Sequence, residues 1–167
     1  KNKKIDFEIV RGEEVDFKPT NGTVSRAVVV CPICKTSIPA KRVRKLSREG
    51  KMGRRMVVEV YTLKDKRGKF YRLVDEKDLR AFEQAKIFLK KKEHLIPNED
   101  IPPVGTLGFR VNRYGIIKWK DLFNERQLLA LTTLVEKVKE AYKKIRQETG
   151  EEDYAKAVTL YLAFLVD

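Results

Sequence analysis

Apolar and polar residues alternate along Ile5-Asp6-Phe7-Glu8-Ile9-Val10, which puts one face of an extended segment on a core and predicts a strand. The same reading makes strands of Arg26 to Val30 and Ile38 to Val43, on either side of Cys31-Pro32-Ile33-Cys34. Met56-Val57-Val58-Glu59-Val60-Tyr61 and Lys69-Phe70-Tyr71-Arg72-Leu73 follow as the arms of a hairpin around Lys64 to Gly68, with Gly68 as its left-handed residue. The period then lengthens. Leu79, Phe82, Ala85, Phe88 and Leu89 recur at helical spacing, Asp75 caps the start, and Lys90-Lys91-Lys92 puts positive charge at the negative end of the helix dipole. From Ile96 to Lys120 prolines and glycines break every period, and the aromatic and arginine content predicts a shaped loop rather than a linker. Leu128, Leu131, Val135, Val138, Tyr142 and Ile145 mark a second helix, capped by Asn124 or Asp121 and stopped by Gly150. A third runs from Tyr154 to Val166 and is apolar on most sides, so it needs cover from more than one direction.

Cys31 and Cys34 stand three apart in a Pro-containing turn, the spacing of half a tetrahedral zinc site. They are the only cysteines and His94 is the only histidine, so neither a Cys₄ nor a Cys₂His₂ site closes within the chain. Three readings stand: a zinc completed from outside the chain, a ribbon turn without metal, and a redox CxxC. The first two fit the strand-turn-strand setting better, because a redox CxxC caps a helix. Lys35 occupies the place where such knuckles usually carry glycine. His94, beside Lys92 and Glu93, suits a helix end better than a third ligand position. The fold expected is α+β: a zinc-ribbon-like β part with a hairpin, then a three-helix part. Its regions are a β region over 1–74, a connecting helix over 75–95, and the irregular loop with the C-terminal helices over 96–167.

Charge changes the picture. A net charge of +13 in 167 residues points to polyanionic partners. The basic residues concentrate in one run, Lys41, Arg42, Arg44, Lys45, Arg48, Lys51, Arg54 and Arg55, against the single acid Glu49; such density suits phosphate contact. Arg110, Arg113, Tyr114 and Trp119 give a second candidate surface, with cations and rings that can stack on bases. The alternatives are a solvated face for the first set and rings pinning the loop for the second. Charged residues at 37% with few Cys, Met and His resemble proteins of hot environments and a reducing interior, so a cytoplasmic location is expected. No apolar run reaches the roughly 20 residues of a membrane span. The chain opens on Lys1 and stops at Val166-Asp167 inside an apolar pattern, which reads as part of a longer protein.

Four stretches together resemble a known family. They are Cys31 to Arg44, Arg48 to Tyr61, Leu95 to Tyr142 and Tyr154 to Asp167, most specifically GFRVNRYG, KW, DLF and RQLLALT between Gly108 and Thr132. In this order they look like the central region of the adenine-specific DNA methylases that contain a zinc-ribbon segment. The resemblance implies a longer protein that binds S-adenosylmethionine and methylates the N6 of adenine. In it, this region lies between the cofactor-binding half and the half carrying the catalytic Asp-Pro-Pro-Tyr. The present chain departs from the family in having neither a Gly-rich cofactor loop nor that tetrapeptide; Ile101-Pro102-Pro103-Val104 lacks both the amide or carboxylate and the aromatic that hold a flipped adenine. The upstream pair of zinc ligands is also absent. The expectation is therefore a DNA-binding or target-recognition segment or subunit, not catalytic alone, whose partners are DNA, the remaining methylase domain and, through the last helix, another copy. A free-standing nucleic-acid-binding module and a structural assembly insert are the alternatives.

Overall fold

The computed structural model describes residues 5–18 and 20–166. The fold is α+β, with two small antiparallel sheets and four α-helices among the described residues. The chain divides into two compact units. One comprises Lys1–Leu79 with Ile101–Ile117, the other Arg80–Asp100 with Lys118–Asp167.

In the first unit, β1 (Val24–Ser25), β2 (Val28–Val30) and β3 (Ser37–Ile38) form an antiparallel sheet in that order, with Val29 opposite both Val24 and Ile38. The strand expected over Ile38 to Val43 ends at Ile38, and α1 (Ala40–Arg48) takes its place. Pro39 is extended at φ −69° and ψ 152°, and its carbonyl accepts from the N–H groups of Arg42 and Val43 to start the helix. Ala40, Val43 and Leu46 are half-buried and Ser47 buried, a helical period that the intervening Lys and Arg residues hide in the sequence. The strand expected over Ile5 to Val10 does not form: the segment pairs with no strand and is tied by side chains. Arg55 donates to the Ile5 carbonyl at 2.6 Å and lies over the Phe7 ring, and Arg11 donates to the Tyr71 carbonyl at 2.9 Å.

β4 (Val58–Leu63) and β5 (Lys66–Leu73) make the second sheet, a hairpin with Val58 opposite Leu73 and Tyr61 opposite Phe70. Its turn is tighter than Lys64 to Gly68. Lys64 and Asp65 alone connect the strands, and Gly68, at φ 111°, falls within β5. The hairpin leads into α2 (Glu76–Lys90) through a reciprocal cap: Asp75 Oδ1 accepts from the N–H groups of Lys77 and Asp78, and Asp78 accepts from the Asp75 N–H. Ile101, buried, donates its N–H to the Ile117 carbonyl, and 3₁₀ turns at Thr106–Gly108 and Val111–Tyr114 lie between the two.

In the second unit, a 3₁₀ turn at Trp119–Leu122 precedes α3 (Glu125–Thr149). Asn124 accepts from the Gln127 N–H while the Gln127 side chain accepts from the Asn124 N–H, and Gly150, at φ 73°, ends α3. α4 (Glu152–Phe164) folds back onto α3, burying Ala155 completely. Lys92 donates to Thr133 and pairs with Glu136, fixing the segment after α2 to α3. His94 lies in a short 3₁₀ turn, Glu93–Leu95. Among the described residues, no helix is long and apolar enough to cross a membrane.

Candidate nucleic-acid interface

The basic run is carried mostly by α1. Lys41, Lys45 and Arg48, spaced by four and three, share one helical face, and they and Arg42 are exposed. Arg44 is half-buried: its guanidinium carbon lies 5.9 Å from the centroid of the Tyr114 ring. One residue further, Gly115 presses on the C-terminal turn of α1. A Cβ there would stand 3.1 Å from both the Arg48 Cα and the Ser47 carbonyl oxygen. Two segments some sixty residues apart in sequence thus form one surface, on which Arg110 and Arg113 are exposed beside α1.

The cations of this surface differ in how far they are engaged. Lys45 and Lys51 pair with Glu49, and Arg55 is spent on Ile5 and Phe7. Among the described residues, Lys41, Arg42, Arg48, Arg110 and Arg113 have no acidic partner, which leaves them open to external anions. Arg44 Nε and Asn112 Oδ1 are buried without a hydrogen-bond partner, while Asn112 Nδ2 donates to the Pro102 carbonyl. Trp119 belongs to the other unit, so the second sequence-predicted set is divided between units, with Arg110, Arg113 and Tyr114 in one. Exposed Leu107, at φ 50°, was not anticipated; it juts from the turn between Gly105 and Gly108.

The thiol pair sits in a closed turn. The Cys31 N–H donates to the Thr36 carbonyl at 3.0 Å and the Lys35 N–H to the Cys31 carbonyl at 2.9 Å. Lys35 adopts φ 59°, the left-handed region that glycine enters without cost. Cys34 Sγ lies 3.3 Å from Thr36 Oγ1, and the Thr36 hydroxyl, then its N–H, then Cys31 hold the Cys34 thiol down to about 7, so a large fraction is thiolate at neutral pH. Both cysteines are free. As soft sulfur donors on one turn they have the chemistry of half a zinc shell; among the described residues no group of three or more His, Cys, Asp or Glu completes it.

Comparison with known proteins gives no matching family model, no matching curated protein and no matching solved structure.

Proposed function

We propose that this chain is the DNA-binding or target-recognition segment, or subunit, of an S-adenosylmethionine-dependent adenine-N6 DNA methyltransferase, working in the cytoplasm and not catalytic alone. The observation that carries the DNA-binding part is the seating of the 110–115 turn on α1 through Arg44, Tyr114 and Gly115, which gathers two basic segments into one surface. The methylase assignment rests on the sequence resemblance between Gly108 and Thr132. In this reading the β part is zinc-ribbon-like, Cys31 and Cys34 supply two of four zinc ligands, and the remaining two come from the rest of the enzyme. Bound zinc would lock the knuckle turn and so fix the start of α1. The helices after the hairpin form a three-helix part that docks on the catalytic domain.

The test is binding of the whole chain to duplex DNA across a salt series, with S-adenosylmethionine titrated alone. A slope of log K on log salt of several units, lowered by about 3 when Lys41, Arg48 and Arg113 are changed together to alanine, supports the reading, since each neutralised phosphate contributes about 0.9. A salt-independent or absent interaction refutes it, and binding of S-adenosylmethionine by the chain alone refutes the non-catalytic assignment.

A second reading, an insert that mediates assembly, has its own observation. On α4 and just beyond it, Tyr161 is 73% and Leu165 80% exposed, with Leu160 and Phe164 also more than half exposed. Sedimentation equilibrium of wild type against Tyr161→Asp tests self-association through that helix.

A further inference from the structure

The hairpin contributed nothing to the interface anticipated from the sequence, yet its outer half is its most exposed part. Every residue from Val60 to Lys69 is exposed, so on both faces this ribbon is wet. A two-stranded hairpin left in water is of marginal stability. Here Tyr61 and Phe70 stack across the strands at 5.7 Å, with planes 29° apart, and Val60 faces Tyr71, which stiffens the ribbon without covering it. Its base is anchored by Arg72, which pairs with Glu59 and Asp78.

At the tip stand Lys64, Lys66, Arg67 and Lys69 with one acid, Asp65. Among the described residues none of the four cations takes part in an ion pair, in contrast to Lys45 and Lys51, which Glu49 occupies. Successive strand residues point to opposite faces, so Lys66 and Arg67 lie on different sides of the ribbon. Four like charges at the end of an exposed ribbon repel one another, and the arrangement is stabilised by whatever brings phosphates to both sides.

We propose that the β4–β5 hairpin enters the major groove of duplex DNA tip first, with Lys64, Lys66, Arg67 and Lys69 on the phosphates of the two groove walls. The dimensions agree. A six-residue strand is about 20 Å long, and the major groove of B-DNA, about 12 Å wide and 8.5 Å deep, admits a two-stranded ribbon. Leu63, exposed beside the tip, offers apolar contact to thymine methyl groups on the groove floor. A-form RNA has a deep, narrow major groove that excludes such a ribbon, so the hairpin selects DNA. The proposal rests on the DNA-binding reading above and adds a second contact to it.

The experiment compares the whole chain with a variant carrying Lys64→Ala, Lys66→Ala, Arg67→Ala and Lys69→Ala, and with a charge-matched control, Lys137→Ala, Lys139→Ala, Lys143→Ala and Lys144→Ala on α3. Binding to one duplex DNA and to the A-form RNA duplex of the same sequence is measured from 50 to 200 mM salt, on the order of the range where phosphate contacts are read. Dimethyl sulfate then maps guanine N7 in the major groove. The hairpin variant is expected to lose about 3 to 4 units of salt slope and the N7 protection, and Arg67→Ala alone about one unit; the α3 control keeps the protection and the slope. If wild type binds DNA and the hairpin variant matches it in slope and protection, the hairpin proposal fails while the α1 surface stands. If wild type does not bind duplex DNA, both fail. Equal affinity for the RNA duplex overturns the groove assignment.

Discussion

Gly115 and Arg48 stand so close that a Cβ at 115 would lie 3.1 Å from the Arg48 Cα, tight enough that one side must give by a few tenths of an ångström. Backbone meets backbone there, and neither side can step aside without moving α1 or the turn. Gly115 also sits at φ 80°, where a Cβ is strained before any contact is considered. Gly115→Ala is therefore expected to destabilise the protein by about 2 kcal/mol and to weaken DNA binding by separating Arg113 from α1. Gly105, at φ 95° with nothing within 4 Å of its missing Cβ, is the control, and its alanine variant carries only the conformational cost of about 1 kcal/mol. Urea unfolding of both variants decides; equal effects would mean that the contact with α1 contributes nothing.

The Thr36 hydroxyl is the main reason the Cys34 thiol titrates near 7. Cys34 alkylation by iodoacetamide, followed site by site by mass spectrometry, should reach half its plateau rate at about pH 7 in wild type. Thr36→Val removes the hydroxyl and leaves the backbone N–H, so the midpoint should rise toward the ordinary cysteine value of about 8.5. Zinc affinity should weaken at neutral pH in the same variant, because the ligand is the thiolate. An unchanged midpoint would show that the backbone amide and Cys31 suffice.

Arg72 grips Asp78 with two hydrogen bonds, at 2.9 and 2.8 Å, and holds that carboxyl below the usual range, with the Asp75 N–H adding to the effect. The sign follows from linkage. A carboxylate whose pKa is lower folded than unfolded stabilises the fold fully above its unfolded value, about 3.9, and the contribution disappears as pH falls through the depressed folded value. Asp78→Asn should therefore lower the melting temperature at neutral pH, with the gap to wild type constant down to about pH 5 and closing in stronger acid. A gap that stays constant to pH 2 would mean that Asp78 acts only through packing.

Much of the helical half was legible because local chemistry decides it. Asn124 with Gln127, Gly150, and Asp75 ahead of an apolar period are signals that act over three or four residues, and the caps form where those residues stand. α1 was misread because five Lys and Arg residues interrupt an apolar set as small as Ala40, Val43 and Leu46, which shows neither period clearly. Ile5 to Val10 alternates as a strand does, but alternation supplies a face and not a partner; Arg55 and Arg11 hold the segment instead. Each half of the candidate surface was visible as charge and aromatic content. Their union was not, because it depends on a glycine that reads in sequence only as a turn residue.

Composition and local pattern thus determined what this chain carries: a strong positive charge, a two-cysteine turn, a hairpin and capped helices. Those properties follow from residue identities and from contacts a few positions apart. Tertiary structure alone decided which cations share a surface and which are neutralised. Arg44 meets Tyr114 across seventy residues, Arg55 is taken up by Ile5 and Phe7, and among the described residues the four cations of the hairpin tip join no ion pair. Coulomb energy depends on distance through space, and only the folded chain sets those distances.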